Sequence, residues 1–210
     1  MNDFIYKLET NLIPKISEIK NIKILELGVE NGRSTKKFLE LCEKNGGKLY
    51  SVDKENCSKI SSSPNWKFIQ SMDDNFDLIK NNITSPLDVI FIDTTHEADH
   101  VEKIIYGYYD ILKINGYLFI DDVSHLPYIK SSNRENFYCE INNKETFYRI
   151  LEIYHSNINN FDLEFSFISS GLAIIKKKTD IGLFPKAKIF SKESSLKNIL
   201  RKIWKSTKKN

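Results

Sequence analysis

Acidic residues recur where short apolar runs end. Asp53 follows the run 49–52, Asp93 follows 87–92, and Asp121 with Asp122 follows 117–120. Ahead of them, Ile24-Leu25-Glu26-Leu27 runs into Gly28-Val29-Glu30-Asn31-Gly32, and Arg33-Ser34-Thr35 begins a segment with helical spacing. A strand, a glycine turn and a helix start together can receive a ligand. Glycine lets backbone approach a bound molecule closely, and the first helical turn offers unpaired N–H groups. The same residues also make a plain tight connection, and aspartate is common in turns for its own local hydrogen bonds. Asp53 has the more specific reading: a carboxylate ending the second strand accepts hydrogen bonds from both hydroxyls of a ribose, which indicates a nucleoside-containing cofactor. A dinucleotide fold prefers G-x-G-x-x-G. Gly28-x-x-x-Gly32 departs from that spacing, and no lysine-bearing phosphate loop for a nucleotide triphosphate is present.

The elements that must position these groups alternate along the chain. Ile5, Leu8, Leu12, Ile16 and Ile19 predict an N-terminal helix over residues 3–20 that covers one edge of a sheet, with Pro14 kinking or restarting it. Strands are expected at 23–27, 49–52, 66–69, 87–92 and 117–120. Between them, Thr35, Phe38, Leu39 and Cys42 mark a helix that stops at Gly46-Gly47, and 74–81 reads as a short helix. Ala98, Val101, Ile104, Ile105, Tyr108 and Leu112 mark a long helix closed by Asn115-Gly116. Residues 123–142 carry no readable pattern. Asn142 with Glu145 resembles a capping box opening another helix, and the alternation at 161–167, the Ser169-Ser170-Gly171 turn and 172–175 predict a closing antiparallel hairpin. The fold class expected is α/β: a Rossmann-like, doubly wound, mainly parallel seven-stranded sheet with a C-terminal antiparallel hairpin. One domain over residues 1–180 and a basic amphipathic tail over 181–210 complete the organisation.

Bulk properties narrow the class. Of the 210 residues, 40% are hydrophobic and 12% aromatic, which excludes a disordered chain. No apolar run approaches the roughly 20 residues that span a bilayer. The first residues lack the basic and apolar regions of a signal peptide. Cys42, Cys57 and Cys139 show no CxxC spacing and read as reduced thiols, so a cytoplasmic protein is expected. The last twenty residues hold Lys192, Lys197, Arg201, Lys202, Lys205, Lys208 and Lys209 against Glu193, a net +6 that leaves −3 on the rest of a chain whose total is +3. The body is therefore not a basic nucleic-acid binder. In the tail, Leu196, Ile199, Leu200, Ile203 and Trp204 repeat at helical spacing among the basic residues. That pattern suits an anionic membrane surface, a partner helix, loose nucleic-acid contact or a solvated terminus.

Glu26-Leu27-Gly28-Val29-Glu30-Asn31-Gly32-Arg33-Ser34 resembles the first motif of class I S-adenosylmethionine (SAM) dependent methyltransferases, and Asp53 matches their ribose-binding acid. The stretch Asp88-Val89-Ile90-Phe91-Ile92-Asp93-Thr94-Thr95-His96, with Gly116-Tyr117-Leu118-Phe119-Ile120-Asp121-Asp122 after it, is similar to the branch of metal-dependent sugar and small-molecule O-methyltransferases and cephalosporin hydroxylase-like proteins. The resemblance covers about residues 22–125. Two departures are Thr94-Thr95, where the family has glycine and an acid, and Gln70-Ser71-Met72, which replaces a glycine-containing turn beside the adenine.

The resemblance implies a SAM site made by Glu26, Gly28, Asn31, Gly32, Ser34, Asp53, Ser71 and Asp93. In it Glu26 lies near the methionine ammonium, and N–H groups around Asn31–Ser34 meet the carboxylate. It implies Mg²⁺ on Asp93, Asp121 and Asp122 that acidifies the acceptor hydroxyl, with Asp93 and His96 as the catalytic pair and His96 a general base or ligand orienter. His96 reads equally as a helix cap, and Asp121-Asp122 as a turn. The expected acceptor is a sugar or other small hydroxylated molecule chosen by residues 123–142, where His125, Tyr128, Phe137 and Tyr138 lie. No specific nucleic acid is expected, since the body is acidic and the Asn/Asp-Pro-Pro-aromatic motif of base methylation is missing. A non-catalytic SAM-binding module and a protein or nucleic-acid methyltransferase are the alternatives. An oligomer is compatible with the sequence, as is peripheral contact of residues 191–210 with the inner membrane surface.

Overall fold

The computed structural model describes residues 3–127, 140–192 and 195–207. Alternation along the strands decides its architecture, because successive side chains in a strand point to opposite faces. In β1 (Ile22–Leu27), Ile22 and Ile24 join one apolar cluster while Leu25 and Leu27 join another. β4 (Leu87–Ile92) divides in the same way, with Val89 and Phe91 against Ile90 and Ile92. A strand buried on both faces belongs inside a sheet covered by helices on both sides. β2 (Gly47–Asp53), β3 (Trp66–Gln70), β5 (Leu112–Asp121), β6 (Phe161–Ser166) and β7 (Leu172–Lys177) complete a seven-stranded sheet of order β3-β2-β1-β4-β5-β7-β6. β1 to β5 pair in parallel, and β7 runs antiparallel to both β5 and β6. The expected fold class is the observed one.

One face is covered by the N-terminal helices and α3 (Arg33–Asn45), which bring Leu8, Leu12, Ile16, Phe38 and Cys42 onto Ile24, Val89, Phe91 and Phe119. The N-terminal segment therefore lies over a face of the sheet, not along its edge, because its apolar row meets the central strands β1, β4 and β5. It runs as α1 (Asp3–Lys7), a π-helical turn Leu8–Leu12 and α2 (Ile13–Ile16), and Pro14 sits in the first turn of the restarted helix as expected. The other face is covered by α4 (Phe76–Asn82), α5 (Ala98–Tyr108) and α6 (Glu140–Ser156), which bring Ile79, Val101, Ile104, Ile105, Ile150 and Ile153 to the sheet.

Two local expectations change. α5 ends at Tyr108 and a 3₁₀ turn covers Tyr109–Ile111, so Asn115-Gly116 does not close the helix. It lies inside β5, where the pairing passes from Leu87↔Leu112 to Val89↔Tyr117 and three extra residues loop out around Asn115 at φ +65°. The Asn-Gly pair does turn the chain, within a strand instead of at a helix end. α6 is helical from Glu140, so Asn142 and Glu145 lie within it and do not cap its start.

After β7, Phe184 exchanges backbone hydrogen bonds with the side chain of Asn157, and Ala187 N–H donates to the Glu152 carbonyl at 3.0 Å. α7 (Leu196–Thr207) then stands with no buried residue. No helix among the described residues is long and apolar enough to cross a membrane. Cys42 and Cys57 are buried free thiols. Tyr128, Phe137, Tyr138 and Cys139 lie outside the described residues.

Candidate active site

Parallel strands end together, and the turn after β1 is the centre of that rim. Gly28 takes φ +93°, and a Cβ there would stand 1.8 Å from the Asp93 carbonyl oxygen. Only glycine lets the ends of β1 and β4 approach so closely. Gly32 takes φ +69° as the residue before α3, and a Cβ on it would meet Ile60 at 2.4 Å. Between them Glu30 is also left-handed at φ +47°. Asp53 fixes this turn: its Oδ2 accepts from Val29 N at 2.9 Å and Glu30 N at 3.1 Å, and its Oδ1 accepts from Glu55 N at 2.9 Å. Burial alone would raise its pKa, but the backbone donors Glu55, Val29 and Glu30 hold it below the ordinary carboxylate value. Asp53 is ionised and preorganised, and one of its roughly four acceptor sites is left over, on Oδ1.

Two cavities flank the turn and share Gly28, Val29, Glu30 and Asp93 in their walls. The first, about 270 Å³, adds Asp53, Ser71, Met72, Asp73 and Thr94. The second, about 350 Å³, adds Phe4, Arg33, Ser34, His96, Asp121, Asp122 and Ser170. A molecule lying across the glycine turn reaches both, with one end beside Asp53 and the other beside the start of α3. Of the expected cofactor residues, Gly28, Ser34, Asp53, Ser71 and Asp93 line these cavities. Glu26, Asn31 and Gly32 do not. Asn31 is exposed, and Gly32 shapes the turn from behind.

Glu26 is fully buried. Its Oε1 accepts from Ser34 Oγ at 2.6 Å, and its Oε2 accepts from Ser51 Oγ at 2.6 Å and Thr35 Oγ1 at 2.9 Å. Trp66 Nε1 donates to Ser51 Oγ, which extends the chain to β3. Burial pushes the Glu26 carboxyl up to about 7, against the lowering effect of the Ser34, Ser51 and Thr35 hydroxyls. As seen here, Glu26 ties the first turn of α3 to β1 and β2 rather than facing the cavity.

The acids after β4 and β5 do converge. His96 Nε2 lies 3.2 Å from Asp122 Oδ2 and 3.7 Å from Asp93 Oδ1. The residue before α5 is Glu97, which makes no side-chain cap, so His96 turns into the cavity and does not cap the helix. Asp122 has φ +58°, a left-handed conformation that aspartate tolerates better than most residues. This backbone strain sits at the rim of the site. Asp93 keeps 27% of its side chain exposed, yet burial and then the negative charges of Asp121 and Asp122 hold its carboxyl well above the ordinary value.

Asp121 lies two residues beyond Phe119 and so faces the N-terminal helices, where Lys7 donates to it. Burial raises the Asp121 carboxyl, with the Lys7 charge opposing. Lys7 Nζ also donates to Ser170 Oγ at 2.7 Å and to the Gly171 carbonyl at 3.4 Å. Of the three aspartates expected to hold a cation, Asp93 and Asp122 flank His96 and Asp121 engages Lys7. Among the described residues, no three His, Cys, Asp or Glu side chains gather in metal-ligating geometry.

Residues that the sequence did not mark also belong here. Asp73, in the cavity beside Asp53, accepts from Thr94 Oγ1 at 2.7 Å and contacts His100 Nε2 at 2.8 Å. The paired acids Asp73-Asp74 after β3 were its available signal. Lys7 was detectable only as a lysine adjoining an apolar helical row. His125 packs its ring on Phe147 at 4.8 Å, just before the undescribed segment.

Residues 25–123 match the model of a family described as a methyltransferase domain. No curated protein matches the chain. Among solved structures, MycE methyltransferase from the mycinamycin biosynthetic pathway, in complex with Mg and SAH, superposes with a TM-score of 0.60 at 16% identity over 85% of this chain. The chain spans about half of that structure, 52% of its length. A Staphylococcus aureus protein provisionally described as a caffeoyl-CoA O-methyltransferase gives 0.60 at 19% identity, covering 84% of each chain. A Clostridium thermocellum protein provisionally described as an rRNA methylase gives 0.59 at 12%, covering 85% of this chain and 97% of its own. At these identities the likeness to the solved structures is one of fold. The match to a methyltransferase domain lies within residues 25–123, and the seven-stranded sheet with its antiparallel C-terminal strands has the Rossmann-like fold of the methyltransferases on which the chain superposes.

Proposed function

We propose that the protein methylates a hydroxyl oxygen of a small hydroxylated acceptor, a sugar or glycan-like molecule, with the help of a divalent cation such as Mg²⁺. The observation that carries this reading is His96, held between Asp122 and Asp93 in the cavity that shares the glycine turn with the one beside Asp53. A hydroxyl is a poor nucleophile until its proton has somewhere to go. His96 Nε2 takes that proton, and the carboxylates on either side stabilise the imidazolium that forms. Asp53 holds the ribose, the N–H groups at the start of α3 receive the methionine carboxylate, and the shared turn fixes the donor relative to the acceptor. Alignment of this kind supplies much of the acceleration in an in-line displacement. SAM, when bound, contributes the sulfonium methyl.

The donor set suits a hard cation, since magnesium is commonly held by one or two carboxylates and keeps several waters. Asp93 and Asp122 are the two with free access, and Asp121 supports them from its pair with Lys7. A cation there would acidify the acceptor oxygen and fix its approach. The MycE structures hold Mg and SAH, and in one case mycinamycin VI, so a divalent cation bound together with the demethylated cofactor has a precedent within the fold.

Calorimetry with SAM and SAH, followed by transfer assays on a panel of hydroxylated sugars, tests the reading. His96→Ala should lower turnover by about 10²–10⁴-fold and leave SAH affinity nearly unchanged. Tight SAM binding with no transfer to any acceptor would favour a non-catalytic module, and no SAM binding would end the proposal.

A further inference from the structure

α7 sorts its residue types by angle. At about 100° per residue, Leu196, Ile199, Leu200 and Ile203 share one arc, with Trp204 at its border. Lys197, Arg201, Lys202 and Lys205 fall outside that arc, and the helix contains no acid. Its apolar side chains stand in water: Leu196 is 80% exposed, Leu200 65% and Ile203 55%. The approach repeats the composition. Past the Ala187 contact, Phe190 is 81% exposed with Lys188 Nζ 5.4 Å from its ring centre.

We propose that α7 is an in-plane anchor that docks this protein on an anionic lipid bilayer. Both arcs are satisfied at once by that surface. The apolar side chains enter the headgroup–acyl boundary, the lysines and Arg201 reach anionic headgroups along their flexible stems, and Trp204 sits at the border where indole rings prefer to lie. A nucleic acid would meet the cations and leave four aliphatic side chains wet. Twelve residues make a helix about 18 Å long, too short to span the roughly 30 Å hydrocarbon core, so the helix lies flat. The anchor is separate from the site at the strand ends, and its failure would leave the methyl-transfer reading untouched.

Co-sedimentation of the full chain with phosphatidylcholine vesicles, with and without phosphatidylglycerol, is the test. Pelleting should require the anionic lipid and weaken with salt. Leu200→Glu with Ile203→Glu should abolish it. Lys197→Gln with Lys205→Gln should weaken it by about 25-fold, roughly fivefold per charge. All four positions lie on a helix without buried residues, so the fold and SAH binding should persist in both variants. Failure of the full chain to pellet, equal pelleting with neutral lipid, or unchanged pelleting of either variant overturns the proposal. So does self-association that is lost in the apolar variant and unaccompanied by vesicle binding, which would assign the arc to a second copy of the chain.

Discussion

Lys7 and Asp121 lie 114 residues apart in sequence and form an ion pair with side chains 0% and 2% exposed, and Asp121 also lines the cavity that holds His96. The pairing follows from strand parity. Asp121 shares its face with Phe119, and that face is roofed by the N-terminal helices. The hairpin contributes as well, because β7 runs antiparallel to β5 and brings Ser170 and Gly171 to the end of the sheet where Asp121 stands.

Removing one partner of a buried pair leaves the other charge uncompensated. Lys7→Met should therefore destabilise the protein by about 3–5 kcal/mol, measured by urea unfolding. The loss should shrink as pH falls and Asp121 takes a proton, whose affinity burial already raises. Adding Asp121→Asn to Lys7→Met should recover part of the stability. A Lys7→Met protein as stable as the parent at neutral pH would show that the pair is not formed in solution.

Asp53 makes a second, more local prediction. Asp53→Asn keeps the shape but loses an acceptor oxygen, so a backbone N–H from the Val29–Glu30 turn or from Glu55 loses its carboxylate partner. SAM affinity should fall by about tenfold to hundredfold, the worth of hydrogen bonds to a charged group, with little change in thermal midpoint. Calorimetry reporting unchanged affinity would remove Asp53 from the ribose site.

The sequence revealed what is built locally. Gly28, Asp53 and the acids after β4 and β5 stand at strand ends whose apolar runs are unmistakable, so their convergence follows once the sheet is parallel. Long-range pairings had no such signal. Nothing in the neighbourhood of Lys7 indicates Asp121, and nothing around Glu26 says that Ser51 from the next strand completes its shell. Asn115-Gly116 misled because the same residues stop a helix or loop out of a strand, and only the register with Leu87 and Val89 separates the two. Asp73 was hidden by an unfamiliar turn after β3, although it walls the cavity beside Asp53.

Glu26 should give the protein a pH-dependent stability. Its carboxyl titrates near 7 in the fold against an ordinary 4.5, so the folded state holds the proton more tightly than the unfolded state. Below about 4.5 both states are protonated and Glu26 carries no penalty. As pH rises from there towards 7 the unfolded state ionises first and stability falls, by on the order of 3 kcal/mol once the folded group has also ionised. Asp93 and Asp121 are shifted in the same direction, so the informative quantity is a difference. Glu26→Gln, which keeps polar contacts to Ser34, Thr35 and Ser51, should flatten the parent's slope between pH 4.5 and 7. Parallel midpoint-versus-pH curves for the two proteins would contradict the buried, proton-binding role.

The proposed cation is tested by ranking the three aspartates. Asp93 and Asp122 face each other across His96, whereas Asp121 is committed to Lys7. Chelation by EDTA should abolish methyl transfer and added Mg²⁺ should restore it. Asp122→Asn should raise the Mg²⁺ concentration needed for half-maximal activity by about tenfold to hundredfold, the scale of losing one charge-assisted contact. Asp121→Asn should cost chiefly stability, since the charge it removes pairs with Lys7, and should shift the Mg²⁺ requirement less. Turnover insensitive to EDTA in the parent would dismiss the metal and leave His96 with its flanking carboxylates as the whole of the proton-accepting apparatus. An Asp121→Asn shift larger than that of Asp122→Asn would instead mean that Lys7 releases Asp121 when the cation binds, which a structure of the Mg²⁺-loaded protein would show as a broken Lys7 contact.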